Sequence, residues 1–79
     1  MFNVGDVFKC RFSLIQQSFK YQIITKIIGN KLEFYRNDRK YYTVDSLLLE
    51  KNIKLNNDQS YEFVGNMTLI NFYEKYSRK

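Results

Sequence analysis

Apolar and polar residues alternate along most of this chain. Between residues 4 and 14, Phe8, Cys10, Phe12 and Leu14 fall on one side, and Lys9, Arg11 and Ser13 on the other. A period of two marks a half-buried strand, with Phe8 and Phe12 as core candidates. A second run over residues 19–28 sets Tyr21, Ile23, Thr25 and Ile27 against Lys20, Gln22, Ile24, Lys26 and Ile28. Gly29-Asn30 follows, a dipeptide suited to positive φ and hence to a two-residue turn. The chain returns as Lys31-Leu32-Glu33-Phe34-Tyr35, with Leu32 and Phe34 inward. The pattern predicts a β-hairpin over about residues 20–36.

Asn37-Asp38-Arg39 reads as a polar turn and residues 40–44 as a further short strand. Asp45 or Ser46, both good N-caps, then opens a short helix through Leu47-Leu48-Leu49-Glu50-Lys51. Asn56-Asn57-Asp58 is another turn cluster. Tyr61-Glu62-Phe63-Val64, Gly65-Asn66 and residues 67–73 predict a second hairpin with the same turn dipeptide. Five to six short strands and one short helix imply a mainly β fold, a small closed or half-closed antiparallel barrel. It is expected to form a single domain over residues 1–79. Closure is the usual way for so small a sheet to hide its edges, and uncovered edges would favour a homodimer.

The opening Val4-Gly5-Asp6-Val7-Phe8 resembles the start of many SH3-like barrels, a Gly-Asp pair followed by an apolar residue. The stretch from Tyr21-Gln22-Ile23-Ile24 through Lys31-Leu32-Glu33-Phe34-Tyr35 to Tyr42-Thr43-Val44-Asp45-Ser46-Leu47-Leu48 is similar to short phage and mobile-element proteins of low-GC bacteria. The resemblance covers roughly residues 2–55. It implies an SH3-like barrel and a bacterial or phage-infected host cell, and it carries over no catalytic residue. The hairpin expected after residue 59 is extra to a minimal barrel.

Composition narrows the function. Seven Phe and seven Tyr, with no Trp, supply the bulk of a small core. Cys10 is the only cysteine, so no internal disulfide can form, and a lone thiol fits a reducing, cytoplasmic compartment. The first six residues contain no basic region followed by an apolar run, so no secretory signal is expected. Thirteen basic residues against eight acidic leave a net charge of +5, which favours anionic partners. A charge of this size also serves solubility alone.

Catalytic chemistry is sparse. With no histidine, neither Ser-His-Asp nor Cys-His arrangements can be assembled. The eight carboxylates are scattered singly, without calcium-loop spacing, and the three glycines are isolated. No enzyme activity, metal or cofactor is expected. Cys10, on an apolar strand face, reads as a buried structural thiol.

Binding chemistry concentrates in Tyr35-Arg36-Asn37-Asp38-Arg39-Lys40-Tyr41-Tyr42, where three cations interleave with three tyrosines. Cations attract phosphates and tyrosine faces stack bases, the combination that single-stranded nucleic-acid binding uses. In an alternating strand one of Tyr41 and Tyr42 must point inward, and a basic turn is equally an ordinary solvated loop. A second set is the outer side of the first two strands, Lys9 and Arg11 with Lys20 and Lys26, which would form a basic stripe or protect an edge. The tail from Tyr73 to Lys79 is either an anchoring arm or a fraying end. No long basic amphipathic helix is present, so no membrane-surface role is expected.

The expectation is a non-catalytic module that binds nucleic acid or a nucleoprotein complex through Tyr35, Arg36, Arg39, Lys40, Tyr41, Tyr42, Lys9, Arg11 and Lys26. An alternative, suggested by the phage-like resemblance, is an inhibitor that binds a host defence protein complex. A further alternative is a protein that sequesters a small anionic nucleotide.

Overall fold

In a computed structural model, which describes residues 2–11, 20–38, 41–55 and 60–77, five antiparallel strands form one sheet. They are β1 (Asp6–Arg11), β2 (Lys20–Ile28), β3 (Lys31–Arg36), β4 (Tyr41–Asp45) and β5 (Ser60–Asn66). Their order is β4-β3-β2-β1-β5, so β4 and β5 lie at opposite edges. Helix α1 (Ser46–Leu55) carries the chain from one edge to the other across one face of the sheet. The result is the expected mainly β, half-closed barrel. No helix among the described residues is long and apolar enough to cross a membrane.

The first strand begins at Asp6, not at residue 4, and is described as far as Arg11. Phe12 and Leu14 lie outside the described residues. The hairpin of β2 and β3 matches the expected span, and Ile28 pairs with Lys31 across the two-residue turn. Gly29 takes φ 58°, the left-handed region such a turn needs. Asp45 caps α1 by accepting from the Leu47 amide at 2.9 Å. The Ser46 amide donates to the Asn30 carbonyl at 2.8 Å, which ties the helix start to the hairpin tip. Of the three leucines, Leu49 alone is buried, while Leu47 and Leu48 face outward.

Two expectations are corrected. Strand β2 does not keep one face throughout, because its register with β3 shifts between Ile24 and Lys26. The extra residue, Thr25, turns Ile27 onto the side of Leu32, its direct partner, and Lys26 onto the opposite side with Glu33. The Thr25 hydroxyl donates to Glu33 Oε1 at 2.7 Å and so occupies the irregular position.

The second hairpin does not form. Gly65 and Asn66 end β5 against the start of β1 instead of reversing the chain. Asn66 Nδ2 donates to the Val4 carbonyl at 3.2 Å and to Asp6 Oδ1 at 3.0 Å, and the Met67 amide donates to the Gly5 carbonyl at 3.0 Å. Residues beyond Met67 then form α2 (Leu69–Phe72), continued by a π-helical turn (Tyr73–Ser77). Thr68 caps α2 by accepting from the Asn71 amide at 3.1 Å.

This C-terminal segment covers the second face of the sheet. On the α1 side, Phe8, Cys10, Ile24, Leu32, Phe34, Leu49 and Tyr61 form one buried cluster, joined by Phe2, Tyr42 and Val44. On the other side, Val7, Ile23, Tyr35 and Phe72 form a second, joined by Tyr21, Met67 and Tyr76. Gln22, Ile23 and Ile24 are therefore buried in succession, because neighbours on a strand point to opposite faces and both faces are covered. The Gly5-Asp6 pair is structural. Gly5 has φ 96°, and a Cβ there would approach the Met67 carbonyl oxygen to 2.8 Å.

Candidate functional site

Strands β3 and β4 pair Tyr35 with Tyr41 and Phe34 with Tyr42, and the pleat sends these pairs to opposite faces. The run Tyr35-to-Tyr42, contiguous in sequence, is thereby divided. Arg36 and Tyr42 belong to the α1 face, and Tyr35 and Tyr41 to the face under α2. Arg39 and Lys40 lie outside the described residues.

On the α1 face the chemistry is turned inward. Tyr42 stacks on Phe34 with ring centres 5.6 Å apart, and its hydroxyl donates to Gln22 Oε1. Arg36 grips Asp38 through two hydrogen bonds, Nη2 to Oδ2 at 2.7 Å and Nε to Oδ1 at 3.2 Å. Its guanidinium also lies over the Tyr42 ring, 5.3 Å from the centre. The bond to Asp38 raises the Arg36 pKa further above its ordinary value. Burial pushes the Cys10 thiol up to about 11, so it stays protonated and unreactive at neutral pH. Burial likewise raises the hydroxyls of Tyr42 and Tyr61.

The opposite face is different. Tyr41, Tyr35, Phe72, Tyr76 and Tyr21 form a continuous ladder of rings. Successive centres are 4.9, 6.1, 5.2 and 4.2 Å apart, and the last pair is stacked at 15°. Lys75 Nζ sits 5.5 Å from the centre of the Tyr76 ring. At the Tyr41 end the ladder opens. Tyr35, Tyr41, Leu69, Ile70 and Tyr73 line a concavity of about 260 Å³ between the β3–β4 edge and α2. One side of the Tyr41 ring leans on Tyr35, yet Tyr41 remains 61% exposed. Ile70 is 74% exposed.

Leu69, Ile70 and Tyr73 were not legible as site residues. Read as strand, residues 67–73 give no reason to fold back on Tyr41. The signal that finds them is Thr68 ahead of Leu69, Phe72, Tyr73 and Tyr76, an N-cap followed by helical spacing.

The second basic set is also dispersed. Lys9 lies opposite Tyr21 and Glu62, hence on the ladder face. Lys20 lies opposite Cys10 and so takes the α1 face, which breaks the expected stripe. Lys26 shares the ladder face because of the Thr25 bulge, but it stands exposed at the far end of β2 beside Glu33. Arg11 ends β1 opposite Ser60. Among the described residues, no three Cys, Asp or Glu side chains converge as metal ligands would.

No family model matches the sequence, and neither curated proteins nor solved structures give a significant match.

Proposed function

We propose that the protein is a non-catalytic binding module for single-stranded nucleic acid, or for a nucleoprotein complex that presents it, and that it binds through the ladder face. One observation carries this reading. Tyr41 is fixed by Tyr35 on one side and open on the other, at the mouth of an aromatic concavity, in a chain of net charge +5. A rigid ring with an open face is what base stacking requires, and cations near it hold the phosphates. Arg39 and Lys40 immediately precede Tyr41 in sequence and are the first candidates for the phosphate contacts. Arg36 contributes less, since its charge is engaged by Asp38 on the other face. Lys9 shares the ladder face, directly opposite Glu62.

Fluorescence polarisation of labelled single strands, titrated at several salt concentrations, tests the reading. Affinity should fall steeply with salt, with a log–log slope of about −0.7 for each phosphate contact. Arg39→Ala/Lys40→Ala should flatten that slope. Absence of binding at low salt would refute the proposal.

The exposed Leu69 and Ile70 favour a second reading, a protein partner such as a host defence complex docked by apolar contact. That complex would have defined stoichiometry, persist in moderate salt and be lost in Ile70→Glu.

A further inference from the structure

We infer that the concavity at Tyr41 is a subsite for one unpaired nucleobase, which is held by stacking and not selected by its hydrogen-bonding edge. The inference rests on the nucleic-acid reading above and specifies its ligand contact. The lining consists of three tyrosines, a leucine and an isoleucine. It contains no amide, carboxylate or cationic side chain. Base identity is read chiefly by bidentate pairing from Arg, Lys, Asn or Gln and by carboxylates accepting from cytosine; none of these is in the lining, whose polar side-chain atoms are tyrosine hydroxyls alone. What remains is a flat π face at Tyr41, an aliphatic wall at Leu69 and Ile70, and Tyr73 closing the side.

Several features make a base, and not a purely apolar group, the occupant. The chain carries an excess of five positive charges, and Lys9 and Lys75 lie on the ladder face or in the segment covering it. An anionic strand is drawn to a chain of this net charge, while its bases supply the planar apolar groups that the concavity fits. The volume of about 260 Å³ is ample for one base. Duplex bases keep their faces covered, so only an unpaired base can present one to Tyr41.

The experiment uses the full chain and three labelled strands of equal length, oligodeoxyadenylate, oligothymidylate and an abasic deoxyribose-phosphate polymer, at low salt. Both base-bearing strands should bind at least about tenfold more tightly than the abasic strand, with adenine equal to or modestly above thymine because it stacks better. Tyr41→Ala should lower affinity for the base-bearing strands by about tenfold to a hundredfold and leave abasic binding unchanged. Tyr41→Phe keeps the ring and should bind as the wild type does. Tyr41 is largely exposed, so the alanine variant should still melt cooperatively. Tyrosine fluorescence, free of any tryptophan signal, should be quenched by the base-bearing strands in the wild type and less so in Tyr41→Ala. Equal binding of the abasic strand, or wild-type affinity in Tyr41→Ala, would overturn the subsite while leaving nucleic-acid binding intact. No binding of any strand would overturn both.

Discussion

Gln22 is fully buried, and its Oε1 accepts from the Tyr42 hydroxyl while its Nε2 makes no hydrogen bond among the described residues. Tyr61 and Cys10 lie beside it, so four polar groups share one end of the α1-side core. Each acid in this group is stabilised in its neutral form by burial. Cys10 rises from 9.0 to about 11 and Tyr61 from 10.0 to about 12, chiefly through desolvation. The unfolded chain therefore loses these protons first as pH rises, and folding weakens. Stability from these groups is fully present below pH 9 and should be lost progressively between pH 9 and 12. A plateau in Tm up to about pH 9 and a steep decline above it is the expected profile, and Tyr61→Phe should make the decline shallower. A Tm independent of pH across that window would contradict the burial of both groups.

The β2–β3 hairpin was legible because alternation and Gly29-Asn30 agreed. The same dipeptide at Gly65-Asn66 misled, because turn chemistry is local and the competing contacts, Asn66 to Val4 and Asp6, come from the other end of the chain. The Thr25 bulge was invisible for a related reason, since one extra residue changes the faces without disturbing composition. At the site, Tyr41 was legible as one of two candidates, and pairing with Tyr35 made it the exposed one. Its neighbours Leu69, Ile70 and Tyr73 depended on the unexpected α2. That helix has only four residues, so its cap matters more than propensity. Thr68→Ala should cost about 0.5–2 kcal/mol. Amide hydrogen exchange should speed up mainly over residues 69–77, with β2 and β3 little affected. Uniform acceleration throughout the sheet would mean that α2 does not open as a separate unit.

Across the whole molecule, the sheet separates two kinds of surface. The α1 side commits its polar groups to one another, with Arg36 held by Asp38 and Tyr42 by Gln22. The side under α2 leaves two tyrosines, Tyr41 and Tyr73, and two aliphatic residues open around a concavity. Positive charge is distributed over both sides and Phe63 is an exposed ring on the α1 side, so neither charge nor aromatic exposure alone singles out a face, and the tyrosine-lined concavity does. The most direct test is amide chemical-shift mapping during titration with a short oligodeoxyadenylate. Perturbations should concentrate at Tyr35, Tyr41 and residues 69–73, with Gln22, Phe34 and Leu49 unmoved. Perturbations centred on the α1 face, or none at saturating strand, would contradict the account.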